Sequence, residues 1–144
     1  MRIGTIYRAS NQINKQNSSV LEVDGCPNFY YYTAMQGKSK IQFQRGIHPI
    51  AKVTLSDKTT RIPAIIVSSS PHRYGTESTP WEDIYDPDFG RVRYYGDNKS
   101  CLKRPEENQG NKLLLDAFRY HSSPVKQEKI NKATPILFFE RVHY

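Results

Sequence analysis

The chain has 144 residues, a length typical of one domain with a single core. Hydrophobic residues make up 37% of it and the mean hydropathy is −0.71, but an aromatic content of 12% is too high for a disordered chain. The formal net charge of +7 and the isoelectric point near 9.4 favour nucleic acid or another polyanion as the partner. A charge that only serves solubility is the alternative.

The beginning of the chain and its cysteines exclude several classes of protein. The first residues contain no apolar signal region, and no apolar run approaches the length of a membrane helix. The two cysteines, Cys26 and Cys101, lack histidines at the spacing of a zinc site. We therefore expect reduced thiols, no metal and a cytoplasmic location.

The first sixty residues give few signals. Residues 11–19 predict a polar surface loop or a poorly formed helix, and the aromatic run Phe29–Thr33 is typical of a strand. Alternation of polar and apolar residues predicts further strands at 40–44 and 50–55, with a turn at 56–58.

The rest of the chain is more strongly patterned. Residues 62–67 are the most apolar run and predict a central buried strand, followed by a long polar loop over 68–80. The sequence also predicts a strand at 91–95, a turn at 96–99, a loop at 104–111 and an apolar strand at 135–142.

Two helical segments are expected between these last strands. Residues 112–120 predict a helix with Leu114, Leu115 and Phe118 on its apolar face. Ser122, Ser123 and Pro124 predict a cap, with proline at the first helical position, for a polar segment that ends at Lys132.

Residues 79–99 contain the densest set of groups that can stack, accept hydrogen bonds or pair with ions. Asp88, Asp97 and Lys99 fit the loose pattern of a PD-(D/E)xK nuclease, in which carboxylates hold Mg²⁺ and lysine helps to activate water. This pattern often occurs by chance, and Asp97 lies in a predicted turn rather than in a strand. Serines near His72 lack the G-x-S-x-G elbow of an esterase.

The same stretch also suits a pocket that reads one base. Aromatic rings can hold a base removed from the stack, and a carboxylate can accept protons from the amino group of cytosine. Alternatively, the tryptophan fills the core and the acids cap turns. The candidates for the base pocket are Trp81, Asp83, Asp86, Tyr94, Tyr95 and Asp97.

Polar and basic side chains around this stretch suit phosphate oxygens and would add affinity that depends on salt. The candidates for contacts to the DNA backbone are Ser69, Ser70, His72, Arg73, Asn98, Lys99, Lys103, Arg104, Asn111 and Lys112.

A wider motif resembles a bacterial family. It consists of residues 69–77 (SSPHRYGTE), 80–83 (PWED), Asp88-x-Gly90, 94–99 (YYGDNK) and 110–114 (GNKLL). These segments are similar to the N-terminal recognition domain of modification-dependent restriction endonucleases of the AspBHI and MspJI type. The similarity covers roughly residues 61–142, and residues 1–60 match nothing specific.

The resemblance implies an α+β fold, with an SRA-like curved, barrel-like and mainly antiparallel β-sheet and a few flanking helices. It implies a single recognition domain over residues 1–144 that binds double-stranded DNA and flips out 5-methylcytosine; a reader of another mark, such as phosphorothioate or hydroxymethylcytosine, is a related possibility. DNA cleavage, and the Mg²⁺ that it needs, would belong to a C-terminal nuclease domain of a longer protein, so this chain itself would need no cofactor.

Overall fold

The computed structural model describes residues 2–8, 20–33, 46–69, 83–96 and 104–142. The chain forms two compact units, Met1–Gln44 and Arg45–Tyr144. The predictions for residues 11–19, 40–44 and 70–80 lie outside the described residues.

The first unit contains a short antiparallel hairpin. Strands β1 (Glu22–Val23) and β2 (Cys26–Pro27) are joined by Asp24 and Gly25, whose φ angles are +51° and +72°. Two consecutive positive φ angles are the pattern of the tight turns that match the twist of a two-residue hairpin.

Helix α1 (Phe29–Thr33) shows that the predicted strand at these residues is wrong. The buried side chain of Asn28 accepts a hydrogen bond from the Tyr30 backbone N–H at 3.1 Å, and its amide donates to the Val20 carbonyl at 2.9 Å. Phe29 and Tyr30 are both buried, and this burial raises the pKa of the Tyr30 hydroxyl. The local cap therefore outweighs the strand preference of an aromatic run.

The second unit consists of strands and helices in a mixed order. Its described strands are β3 (Ile47–Pro49), β4 (Val53–Thr54), β5 (Thr60–Arg61), β6 (Ile65–Ser69), β7 (Ile84–Asp86), β8 (Arg91–Arg93) and β9 (Ile136–Glu140). Its described helices are a 3₁₀ turn at Pro105–Glu107, α2 (Gln109–His121) and α3 (Lys126–Lys132).

The core of this unit is a three-stranded sheet with β6 at its centre. β3 pairs antiparallel to β6, and β9 pairs parallel to it with Ile136 opposite Ile65. Ile65, Ile66 and Val67 are at most 1% exposed, so the predicted central buried strand is confirmed, although it begins at Ile65 rather than at residue 62. The predicted C-terminal strand is also confirmed and ends at Glu140.

The strand predicted over residues 50–55 is only partly correct. Ile50 follows β3 and donates its backbone N–H to the Ala64 carbonyl, and Val53 pairs with Arg61 where β4 and β5 form a two-stranded ladder. These pairs continue the register in which Ile47 faces Val67, so the partner segment stays the same. The ladder is interrupted around Pro63, which has no N–H to donate, and β4 begins only at Val53.

The turn predicted between β4 and β5 is confirmed. Lys58 has a φ of +65°, and the Asp57 carboxylate accepts hydrogen bonds from the Thr59 hydroxyl and backbone N–H at 2.6 and 2.9 Å. The bond from the Thr59 hydroxyl is the largest cause that lowers the pKa of Asp57.

Helix α2 begins three residues earlier than predicted, and its apolar face differs. Leu114 and Ala117 are buried, whereas Leu115 and Phe118 are 54% and 53% exposed. Gly110, one turn before Leu114, lies so close to Ile47 that an added Cβ would come within 3.1 Å of its side chain. The buried face is therefore centred between Leu114 and Ala117, which turns Phe118 and Leu115 toward solvent.

The cap predicted before α3 is wrong, because the N-cap residue is Val125, which makes no side-chain capping bond. The Ser123 hydroxyl accepts from the Val125 backbone N–H at 3.2 Å and donates to the Glu128 carboxylate at 2.8 Å. Because the helix begins at Lys126, Pro124 precedes it instead of occupying its first position. The bond from Ser123, followed by Lys132 at 3.3 Å, lowers the pKa of Glu128.

These elements confirm the α+β class. The described strands pair mainly antiparallel, in separate small sheets, with β6 and β9 as the parallel pair. Curvature into an SRA-like barrel stays a prediction, as does the single domain over residues 1–144. Within the described segments, no helix combines the length and apolarity that crossing a membrane requires.

Candidate nucleic-acid interface

The hairpin of β7 and β8 carries several of the predicted site residues. Its strands pair antiparallel, with Asp86 opposite Arg91 and Ile84 opposite Arg93. It comes after β6 in the chain, and it shares a cleft with β6 and β9. The hairpin therefore lies beside the central sheet of the second unit.

The base of the hairpin is held together by Asp83. One carboxylate oxygen accepts a hydrogen bond from the Ser69 hydroxyl and the other accepts one from the Tyr95 backbone N–H, both at 3.0 Å. This carboxylate joins the end of β6 to the chain on both sides of the hairpin. Asp83 and Ser69 were predicted as contacts to base and backbone, and each has a structural partner here.

The tip of the hairpin is a compact loop. Asp86 accepts from the Phe89 backbone N–H at 3.3 Å, and Gly90, with a φ of +62°, donates to the Pro87 carbonyl at 3.3 Å. The Phe89 ring is 74% exposed, with the Arg91 guanidinium 5.8 Å from its centroid. Asp86 therefore shapes the turn, and an aromatic ring is presented at its apex.

The two adjacent tyrosines have different environments. Tyr94 packs against the core, and its hydroxyl occupies the space that a side chain at Gly46 would fill. Tyr95 is 51% exposed. Of these two candidates, Tyr95 has the ring that is open to a ligand, and Tyr94 contributes to the fold.

The start of α2 lies against the end of the hairpin. The Asn108 side chain caps this helix by accepting from the backbone N–H groups of Gly110 and Asn111, at 2.9 and 3.5 Å. The Asn111 amide donates to the Pro105 carbonyl at 2.8 Å, and a Cβ added at Gly96 would come within 2.7 Å of its Oδ1. The predicted residues Tyr95 and Asn111 are thus brought into one neighbourhood through Gly96.

The basic candidates in the described part are exposed. Arg104 lies just before the 3₁₀ turn and Lys112 lies in the first turn of α2. The remaining candidates lie outside the described residues: Ser70, His72, Arg73, Trp81, Asp97, Asn98, Lys99 and Lys103.

The cleft between the hairpin and the sheet is small. Its walls include Val67, Tyr85, Val92 and Phe138, and its volume is about 20 Å³. That volume holds about one water molecule and is far below the roughly 300 Å³ at which ligand pockets begin. The described walls of this cleft therefore do not accommodate a base.

The nuclease pattern has one member in the described part. Asp88 is exposed in the tip loop, whereas Asp97 and Lys99 lie outside the described residues. Among the residues that the structure describes, no three His, Cys, Asp or Glu side chains cluster so that they could hold a metal ion.

Sequence reasoning did not include Asn108, Arg91 or Arg93 in the site. An asparagine just before a predicted helix is a recognised capping signal and could have located the start of α2. The Arg-x-Arg alternation of β8 places both arginines on one side of the strand, which was also readable from the sequence.

The chain matches a restriction-endonuclease domain along its whole length. It belongs to the family described as "Restriction endonuclease AspBHI N-terminal", whose model matches residues 1–144. This confirms the resemblance and extends it to the first sixty residues.

A solved structure of the MspJI restriction endonuclease in complex with a 27-mer oligonucleotide is also similar. It shares 36% sequence identity with this chain and superposes with a TM-score of 0.72. The match covers 89% of this chain and 29% of the MspJI chain, so the present chain spans less than a third of that protein. No curated protein sequence matches significantly.

Proposed function

We propose that this chain binds double-stranded DNA that carries a modified cytosine, with 5-methylcytosine as the first candidate. The family match over residues 1–144 carries this proposal, because the family is the N-terminal part of a restriction endonuclease. The similarity to MspJI, which was solved with an oligonucleotide, and the net charge of +7 support a nucleic-acid partner.

The chain acts in this proposal as the specificity module of a modification-dependent restriction endonuclease in the bacterial cytoplasm. A C-terminal nuclease domain of the parent protein cuts the DNA and uses Mg²⁺, while the recognition module needs no cofactor. The short coverage of the MspJI chain agrees with this division.

Base flipping explains how the mark is read. A methyl group on a stacked cytosine can be inspected on all sides only after the base leaves the helix. The exposed ring of Tyr95 and the Trp81 ring hold the flipped base in this proposal, each stacking contact contributing about 1–3 kcal/mol. Asp83 and Asp86 each accept hydrogen bonds from groups of the fold, so Asp97 is the carboxylate proposed to receive the cytosine amino protons.

The test is an anisotropy titration at fixed salt, with duplexes of one sequence that contain cytosine, 5-methylcytosine or 5-hydroxymethylcytosine. We expect tighter binding to a modified duplex, by roughly fourfold for one methyl group, since burying a single methyl or methylene group contributes about 0.8 kcal/mol. Asp97→Asn should weaken binding to all three duplexes, because each carries the cytosine amino group, whereas Asp116→Asn, which makes the same chemical change on α2, should leave the three affinities unchanged. Equal affinities for all three duplexes would overturn the proposal.

A cleavage assay with Mg²⁺ tests the nuclease alternative on the same samples. We expect this chain alone to leave DNA intact. Cutting that is abolished by Asp88→Ala would instead establish a nuclease centre within it.

A further inference from the structure

We propose that the β7–β8 hairpin is itself a DNA contact, a two-stranded ribbon that enters the major groove beside the modified base pair. Arg91 and Arg93 bind phosphates, and the tip residues Asp88 and Phe89 face base edges. This inference, which rests on the function proposed above, adds a second contact surface to the proposed base pocket.

The register of the hairpin supports this assignment. Residues two apart in a strand point to the same side, so Arg91 and Arg93 lie on the side opposite Val92. Val92 and Arg93 both border the cleft next to the central sheet, whereas Arg91 lies outside it, and both arginines are exposed to solvent. Within the described part of the chain, neither guanidinium forms an ion pair with a carboxylate.

The tip presents a large apolar ring to water. Phe89 is 74% exposed, and the loop that holds it is fixed by the bonds from Asp86 and Gly90. A single exposed phenylalanine is common on protein surfaces. Here it lies at the apex of a hairpin whose base is fixed by Asp83, so the ring is positioned to insert into a groove.

Charge decides which part of the hairpin meets which part of the DNA. Asp88 at the tip would repel a phosphate, but a carboxylate in the major groove can accept a hydrogen bond from the amino group of cytosine. A phenylalanine can contact the methyl groups that project into the same groove, and that groove is wide enough for a two-stranded ribbon. The phosphates are therefore assigned to Arg91 and Arg93, behind the tip.

The test measures the salt dependence of binding with the full chain, on methylated and unmodified duplexes. Arg91→Gln and Arg93→Gln should each weaken binding to both duplexes and reduce the slope of log K against log salt by about 1. Lys126→Gln and Lys129→Gln remove the same charge from exposed positions of α3 and should leave the slope near that of the wild type. Slopes for the arginine variants equal to those of the lysine variants would overturn the inference.

The groove is tested by protection of guanine N7 from dimethyl sulfate, since N7 lies in the major groove. We expect protection next to the modified base that is reduced by Phe89→Ala; unchanged reactivity on binding would contradict a major-groove ribbon.

Failure of this inference can be distinguished from failure of the proposed function. If the wild type shows no preference for the modified duplex, the proposed function is wrong, while the salt slopes of the arginine variants still show whether the hairpin contacts DNA. A retained preference with unchanged slopes for Arg91→Gln and Arg93→Gln defeats the hairpin contact alone.

Discussion

Asp83 and Tyr95, which flank the β7–β8 hairpin, are joined by a 3.0 Å hydrogen bond from the Tyr95 backbone N–H to the Asp83 carboxylate. The other carboxylate oxygen holds the Ser69 hydroxyl at the end of the central strand. The Asp83 side chain thus joins the two ends of the hairpin to each other and joins the hairpin to the sheet. The orientation of the exposed Tyr95 ring therefore depends on Asp83.

Asp83→Ala should destabilise the protein by about 1–3 kcal/mol, because it leaves two donors without their acceptor. Ser69→Ala removes only one of these bonds and should cost less. The measurement is urea unfolding followed by far-ultraviolet circular dichroism. Equal unfolding midpoints for Asp83→Ala and the wild type would show that the clamp contributes nothing to stability.

Two glycines of the hairpin region form a matched pair. Gly96 and Gly90 both have positive φ angles, +80° and +62°, but an added Cβ meets the Asn111 side chain at Gly96 and nothing within 4 Å at Gly90. Gly90→Ala should therefore cost only the backbone strain, about 1–2 kcal/mol. Gly96→Ala should cost more, because Asn111 cannot move without losing its 2.8 Å bond to Pro105.

Urea midpoints of these two variants provide the comparison. A larger loss for Gly90→Ala than for Gly96→Ala would contradict the close approach of Gly96 to the start of α2.

The adjacent tyrosines should separate stability from binding. Tyr94→Ala should lower the unfolding midpoint, since its ring packs against the core. Tyr95→Ala should leave stability nearly unchanged and remove about 1–3 kcal/mol of binding to the modified duplex, the size of one stacking contact. Parallel unfolding and anisotropy measurements check both, and a Tyr95→Ala variant that binds the modified duplex with the full affinity of the wild type would exclude a stacking role.

The stability contributed by Glu128 should depend on pH. The bonds from Ser123 and Lys132 lower the pKa of this carboxyl in the folded protein. A lowered folded-state pKa contributes stability that is present above the ordinary glutamate value of about 4.3 and is lost as pH falls through the folded-state pKa. The wild type should thus be more stable than Glu128→Gln near neutral pH, and this difference should shrink below about pH 4.

Urea midpoints of the two proteins at several pH values give the measurement. Ser123→Ala removes the largest cause of the lowered pKa of Glu128. In proteins that carry Ser123→Ala, the stability difference caused by Glu128→Gln should therefore vary less with pH. A difference between wild type and Glu128→Gln that stays constant across this range would contradict the linkage.

Local sequence patterns correctly predicted those elements whose structure is determined by the residues within them. The apolar run around Ile65–Val67 and the Asp57–Lys58 turn were found because a buried strand and a tight turn have strong local signals. The aromatic run at Phe29–Thr33 was misassigned because Asn28, outside the run, caps a helix and Phe29 and Tyr30 are buried. The exposed face of α2 was misassigned because Gly110 fits closely against Ile47, a contact between distant parts of the chain.

In the candidate site too, contacts between distant parts of the chain could not be predicted from the sequence. Residue type alone suggested Asp83 and Tyr95, and the structure brings them together. Residue type could not show that Asp83 accepts hydrogen bonds from Ser69 and the Tyr95 backbone, or that Tyr94 turns toward Gly46, because each of these contacts joins separate elements. The family motif added what local pattern could not, because it combined residues far apart in sequence into one match.

The parallel pairing of β6 with β9 has a consequence for how the protein is made. The central strand, from Ile65, gains its second neighbour only after the ribosome has synthesised Ile136 and the residues that follow it. Until then one edge of a strand composed of Ile65, Ile66 and Val67 is open to other chains, which is the situation that leads to aggregation. Because contacts so distant in sequence form slowly, completion of this sheet is expected to be a late event in folding, and a nascent chain stalled before β9 would be a natural substrate for chaperones.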